Sequence, residues 1–562
     1  MKQTLRGTIS AAIILAVAGT AHSSVITGTV TSNGDAVRGA MVTLISADGF
    51  FQETVLTDAA GKYRLPTEQT GTLGLRVRAR MNQDNTVKVK IQTRDSNVKQ
   101  QFALKRLVTP QEISDSLPAS AHLARVKFAN PVTRQLFQLD CTECHQIGSP
   151  ITLHTHTPAE WNAIMKVMVH NAEYTTDVHV SEYAAAIGSA FDGTPTPDHE
   201  NPVIDEAALG ERVTEWKLPG ALAAHDTNIY PPTGKFYSVD MFVDDIFVTD
   251  PKTNKTTKLP IPPLGVPIGG SFAGQSDIPA YVHNIRHGLH SLELGTDGKF
   301  YMTGSIGGNI VVYDPATGEF QSHNVGSNAL IPHTPRFDSQ GILWFTLYLS
   351  NQVGRFDPKT GHTTVIQLPT KIYRKELVDR TTAVYGIDIN PLDGSVWYTR
   401  LYANAIGRID PKTLQVQEWD PPVFAPRRAR FDAAGGFWIP GYADGKIARL
   451  DTKTMKYDIV KVPALASDEV EAPYAVAVEP KSQDLWVTTN MSDRMFRYTP
   501  STKTWASFPM PTRGVITRDI VFSPDGRVCG VNNPWGIPTP GLVEGNMDSL
   551  ICLTPDVRKS TL

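Results

Sequence analysis

Cysteine is scarce in this sequence. Four residues in 562 are far too few to staple a chain of this size, so the fold must rest on buried apolar surface. An excess of either charge is also missing. The 53 Lys and Arg stand against 56 Asp and Glu, a formal charge of −3. That excludes a strongly basic nucleic-acid binder and a polybasic membrane anchor. Beyond the N-terminus no stretch approaches the roughly 20 apolar residues that a spanning helix requires. Turn formers, by contrast, are plentiful: Gly 43 and Pro 40 suit many short strands joined by tight turns. With 41% hydrophobic and 19% charged residues the chain is globular, and at roughly 150 residues per domain it holds three or four domains.

Lys2 and Arg6 precede an apolar run from Ile9 to Ala18, and Ala21 and Ser23 sit at −3 and −1 of a small-residue cleavage site. This is the pattern of an export signal over residues 1–23, with an uncleaved anchor as the alternative. The mature protein is expected to be periplasmic, with no transmembrane segment after signal removal. Residues 24–106 then alternate apolar and polar positions (VITGTV, AMVTLIS, LGLRVRAR, TVKVKIQT) between turn signals such as SNGD and DAAGK. That spacing predicts an antiparallel β-sandwich of about seven short strands. The string GTVT…AVRGAMVTL…TDAAGKYRLP resembles the carboxypeptidase regulatory-like domain. With no cysteine and no histidine it reads as a structural or docking module.

From 107 to 200 the pattern turns helical. Thr157, Pro158 and Glu160 form a capping box, followed by Trp161, Ile164, Met165 and Met168 at the spacing of one helix face, expected to be buried. A second helix is expected from Ser181, and the proline-rich DGTPTPDHENP from Asp192 reads as a linker. Within this region lies CTECH. Cys141 and Cys144 can each form a thioether to a haem vinyl group, and His145 can then reach the iron. The alternatives are a zinc site, which lacks further ligands nearby, and a redox CxxC, which lacks a βαβ context. The layout resembles the class I cytochrome c domain. That resemblance implies one covalent haem c with His145 and Met168 as axial ligands, Met165 and His170 being rivals for the second position.

Residues 201–562 form a repeat array. An aromatic precedes an Asp or Thr by thirteen positions in six blocks, from Tyr237/Asp250 to Trp486/Thr499, at intervals of 64, 43, 53, 41 and 48 residues. Such periods fit four-stranded propeller blades. A seventh block carries Cys529 and Cys552, expected to form a disulfide across one hairpin in an oxidising compartment. It lacks an outer strand, which VTEWKLP (213–219) is expected to supply by closing the ring. The chain as a whole is thus mainly β: a sandwich, a small helical domain and a seven-bladed propeller. The strings GILWFT…NQVGRFDPKTG and GSVWYT…NAIGRIDPKT resemble the virginiamycin B (streptogramin) lyase-like propellers. That family implies a catalytic His on an innermost strand and a Glu closing the next, as in WFTE. Here the string reads WFTL, with Leu347 in the glutamate's place, and among the blades only Asp240 offers a carboxylate there.

Eleven or twelve positions before each blade aromatic, and before Cys529 in the seventh block, stand His225, His290, His333, Tyr385, Arg427, Tyr474 and Arg518. Each begins an innermost strand, so all seven are expected at one mouth of the central channel. His290, His333, His225, Asp240 and Tyr385 are candidates for acid–base work. Arg427, Tyr474 and Arg518 are candidates for holding a small, anionic substrate, and the histidines for a divalent metal. Structural rim residues are the bland alternative. Three functions compete: a periplasmic haem protein with a redox partner and a substrate site in the propeller, a lyase cleaving a C–O bond by elimination, and a ligand-binding sensor.

Overall fold

The structure is a computed structural model that describes residues 23–150, 152–172, 179–198, 204–275, 282–371, 383–534 and 548–555. An N-terminal β-sandwich is followed by a short helical region and then by a ring of seven four-stranded sheets.

The sandwich has nine strands rather than seven. One sheet is built on Ser24–Ser32, the other runs Phe51–Leu56, Met41–Ile45, Gly71–Arg78, Asn85–Ile91. Alternate residues of both sheets (Ile26, Val42, Leu44, Leu65, Leu75, Val77) fill the core between them. The sandwich is not wholly antiparallel. Residues Asn97–Lys99 and Phe102–Leu104 both run parallel to the first strand, with a break between them. At that break the Gln100 carbonyl lies against Gly28, where a Cβ would meet the oxygen at 1.6 Å.

Helices α1 (Pro110–Ser116), α2 (Ala119–Leu123), α3 (Pro131–Cys141), α4 (Pro158–Ala172), α5 (Val180–Ala190) and α6 (Glu206–Leu209) follow. The Thr157–Glu160 capping box starts α4: Glu160 N–H donates to Thr157 Oγ1 (3.3 Å) and Thr157 N–H to Glu160 Oε2 (2.7 Å). Its predicted buried face is only partly right. Trp161 and Met165 are buried with Phe137, Ile147, Tyr183 and Ile187, whereas Met168 is 39% exposed. Val167 and Met168, which follow Met165 on the helix, are both exposed. The side chain of His170 lies outside the described residues. The segment after Asp192 is not a free tether. Thr196 is fixed to His122 (2.8 Å) and Ser114 (2.9 Å), and Asp198 pairs with Arg80 of the sandwich.

Six propeller blades are consecutive antiparallel sheets. The seventh takes its outer strand from Arg212–Lys217, which pairs with Ser549–Thr554 and so closes the ring. The same strand's other edge pairs with Phe51–Leu56, Arg212 opposite Val55 and Trp216 opposite Phe51. The seventh blade and one sheet of the sandwich are therefore a single eight-stranded sheet. The sandwich covers a blade edge that would otherwise offer unpaired amides to another chain.

Cys529 and Cys552 face each other across the central hairpin of this blade and are joined by a disulfide. Their separation of 23 residues corresponds to about 3 kcal/mol of loop-closure entropy removed from the unfolded chain. Cys529→Ala/Cys552→Ala is expected to lower the thermal unfolding midpoint by several degrees while leaving Cys141 and Cys144 untouched. Two titratable thiols at these positions in native, non-reduced protein would contradict the pairing.

Candidate functional site

The site begins with an irregularity repeated in every blade. In blade 1, Ala224 pairs with Asp240 and Thr227 with Ser238, so three steps on the innermost strand match two on its neighbour. Blades 2, 3, 4 and 6 show the same slip of one residue. Blades 5 and 7 show it between the bridge Pro426↔Gly441 and the pair Arg430↔Trp438, and between Thr517↔Asn532 and Val521↔Cys529. The bulged residues are His225, His290, His333, Tyr385, Arg427, Tyr474 and Arg518 and their immediate successors. A bulge breaks the strict alternation of a strand, so two adjacent side chains can enter the channel instead of one. The threonine of the WFT-type strings holds it in place. Thr346 Oγ1 accepts from the Thr334 amide (3.1 Å) and donates to the Tyr385 carbonyl of the next blade (2.8 Å). Thr303 and Thr399 make the same pair of bonds.

All seven predicted mouth residues converge, none more than 5% exposed. His225, His290 and His333 stack with ring centroids 3.7 Å apart at each step, and His333 meets Tyr385 at 4.5 Å. Tyr385 and Tyr474 share a hydroxyl–hydroxyl bond of 2.6 Å. The Arg427 guanidinium is packed among Tyr442, Tyr474 and Tyr385 at 3.8, 4.5 and 4.8 Å from their centroids, and Arg518 lies 5.3 Å from Tyr474.

A second tier comes from the residues one position later, which sequence spacing overlooks. Asp226 accepts two bonds from Arg428 Nη1 (2.9 and 2.8 Å) and one from Ser291 Oγ (2.5 Å). Asp519 pairs with Arg428, Arg430 and Arg336, and Arg336 also with Glu293. Burial raises Asp226, but Arg428 and His225 outweigh it and hold the carboxyl far below its ordinary range. With Asp226 ionised, His225 Nδ1 (2.9 Å away) is the donor to it. His290 Nδ1 likewise donates to Ser291 Oγ (2.8 Å), because the serine gives its proton to Asp226. Both rings thus carry a lone pair on Nε2. Burial pushes His225 down to about 4, and His290 and His333 well below their usual value, so the stack is neutral at pH 7. His225, Asp226 and His290 bring donor atoms within 4.8 Å of one another, a grouping that could hold a metal ion. Arg428 already supplies positive charge there.

Asp240 has another task. Its carboxylate oxygens accept from the amides of Leu222, Ala223, Phe242 and Val243 (2.7–3.1 Å), which organises the turns around it. Burial pushes its carboxyl up to about 6 against the four amides that favour the charged form, and any acid–base work would have to bend or give up those bonds. Leu347 is fully buried.

The mouth is not open. The segment Cys141–His145, at the end of α3, lies across it. The carboxylate of Glu143 pairs with Arg427 Nη2 (2.7 Å), and Arg518 Nη1 donates to the Glu143 carbonyl (3.0 Å). Tyr442 Oη donates to the Thr142 carbonyl (2.5 Å) and Gln138 Nε2 to the Tyr442 carbonyl (3.2 Å). Leu136 and Leu139 pack on Tyr348, Tyr385, Tyr402, Tyr442 and Tyr474. Gln146 adds bonds to Asp493 and the Val515 carbonyl, both 3.0 Å. The residues of CTECH fit a covalently held haem. Cys141 and Cys144 are not joined to each other. Cys144 and His145 are half-buried, and Nδ1 of His145 is enclosed without a hydrogen-bond partner.

Residues 25–105 match the carboxypeptidase regulatory-like domain family. No curated protein matches the chain. Among solved structures, a streptogramin B lyase is similar to this chain at 18% identity and a TM-score of 0.49, over 62% of this chain and 100% of its own. Virginiamycin B lyase from Staphylococcus aureus is similar at 18% identity and 0.47, over 61% and 99%.

The neutral stack makes stability depend on pH. Between about pH 6.5 and the folded value of about 4 for His225, the unfolded chain binds more protons than the folded one. Stability therefore falls as pH drops through this window, by up to about 3 kcal/mol from His225 alone. His225→Asn is expected to flatten that slope in urea denaturation measured at successive pH values. An unchanged slope would mean that His225 is protonated in the folded state.

Proposed function

We propose that the protein is a periplasmic c-type haem protein in which electron transfer is coupled to binding or oxidation of a small substrate at the propeller mouth. The observation that supports this most is the seating of the CTECH segment on the His/Tyr/Arg ring, through Glu143, Thr142 and Gln146. Cys141 and Cys144 would hold the haem and His145 would ligate its iron. Bound there, the haem supplies a one-electron acceptor or donor. The propeller residues supply the rest. Arg427 and Arg518 place positive charge at the mouth for an anionic group. His290 and His333, neutral and buried, are bases that can accept a proton from a bound substrate. Met168 is the proposed distal ligand. Met165 is locked in the helical core, whereas Met168 stands outside that cluster and is exposed. A periplasmic redox partner would exchange electrons with the haem.

The second reading is elimination across a C–O bond, with a channel histidine taking the α-proton. The histidine-lined propeller favours it. Leu347 and the fully engaged Asp240 weigh against it. A ligand-binding sensor would use the same ring without turnover.

Two experiments separate these readings. His290→Ala is compared with Cys141→Ala/Cys144→Ala on any substrate found by screening small periplasmic metabolites for reduction of the haem. Loss of turnover by at least about a hundredfold in both is expected. Loss in the first with full turnover in the second would replace redox coupling by elimination, and no effect of either would favour the sensor. Separately, Met168→Ala should abolish the weak near-infrared sulfur-to-iron band of the oxidised protein and lower the potential. Survival of that band, with its loss in Met165→Ala, would reverse the assignment.

A further inference from the structure

The fit between Glu143 and the mouth is incomplete in an informative way. Arg427 is wholly buried and has five N–H donors. Its ionic partner is a single Glu143 oxygen, 2.7 Å from Nη2, and Nε, Nη1 and Nη2 all lack a well-aligned hydrogen-bond acceptor. The second carboxylate oxygen of Glu143 is also buried without a donor, and so is Nε of Arg518. A buried arginine of this kind ordinarily takes a carboxylate through two parallel bonds. Each buried polar atom left unpaired costs about 1–3 kcal/mol. The tyrosine rings around Arg427 are oriented to hold the guanidinium, not to satisfy its N–H groups. The cage therefore has more donor capacity than its present occupant uses. That occupant comes from the helical region, on the loop between the two haem-binding cysteines.

We propose that the cage formed by Arg427, Arg518, Tyr385, Tyr442 and Tyr474 is a carboxylate-binding site, which Glu143 fills in cis until a carboxylate ligand displaces it. The inference deepens the reading of the mouth as the functional centre and does not depend on the haem. A small organic acid can approach Arg427 through both oxygens, a geometry not restricted by attachment to α3. Its entry requires the Glu143 side chain to leave. Ligand binding would then move the loop that carries Cys144 and His145, and the ligand's substituents would be set against His333, which adjoins Tyr385.

The test is calorimetric titration of the full-length mature protein with acetate and with succinate, acetamide serving as the uncharged control. Removing the competing charge by Glu143→Gln should tighten binding of at least one of the two acids by about tenfold or more, since the competent state is no longer masked. Arg427→Gln in that background should abolish it. Should that variant fail to fold, Arg427→Lys, which keeps the charge but not the two-point geometry, should weaken binding by about tenfold. Equal affinity with and without Glu143, no binding of either acid to Glu143→Gln, binding that survives Arg427→Gln, or equal binding of acetamide would overturn the proposal. The haem absorbance of the same samples keeps the two readings apart. Carboxylate binding without haem would remove only the redox reading. A haem-loaded protein indifferent to Glu143→Gln would remove only the cis-occupied cage.

Discussion

One extra residue on each innermost strand determines what this propeller can do. A regular strand would send every second side chain into the channel and leave a single ring of seven at the mouth. The bulge sends in two neighbours, so His225 is joined by Asp226, His290 by Ser291, Arg427 by Arg428 and Arg518 by Asp519. Arg427 and Arg518 meet Glu143 of the helical region, and the second members build the charge network around Asp226 and Asp519. The slip leaves amides and carbonyls off the ladder, and the blade threonines bind both. Where the successor in blade 4 must let the neighbouring strand approach, the residue is Gly386, whose Cβ would lie 2.6 Å from the Arg427 carbonyl.

The two tiers differ in electrostatic character. The lower one pairs Asp226, Asp519 and Glu293 with Arg336, Arg428 and Arg430, so little net charge is left buried. Above it the three imidazoles are neutral, because a proton on one would lie against its neighbours and Arg428 at low polarity. The upper rim is cationic, and Glu143 answers it from outside the propeller. Helical region and propeller are thereby one electrostatic unit. The sandwich joins the same assembly by main-chain pairing, through the strand Arg212–Lys217 that it shares with the seventh blade. Such edge-to-edge pairing fixes orientation mainly through the backbone, with Arg212 paired to Glu53 and Trp216 packed on Phe51 across the seam.

Much of this was legible in the sequence. Blade count, ring closure by residues 213–219, the Cys529–Cys552 hairpin and the convergence of seven polar residues all follow from fixed spacing, because each blade repeats one register. The second tier was not, since Asp226, Arg428 and Asp519 matter only once a bulge turns them inward, and a pattern of period two assigns them to the opposite face. Met168 was misplaced for a similar reason. Helical spacing shows which residues share a face but not where the core beneath it ends. The docking of the sandwich was invisible because strand edges pair through the backbone, and the ladder is indifferent to Thr54 or Thr214 as such. Glu143 is silent in the sequence because a residue between two cysteines of a CxxCH string looks like a spacer, and only the fold sets it against Arg427.

The central claim is that the segment seated on the mouth carries a haem. The most direct measurement is the intact mass and pyridine haemochrome spectrum of the protein matured in a host that assembles c-type cytochromes. One covalently bound haem per chain, lost in Cys141→Ala/Cys144→Ala, is the result the account predicts. A chain of unmodified mass, with its two thiols free, joined to each other or bound to zinc, would contradict it.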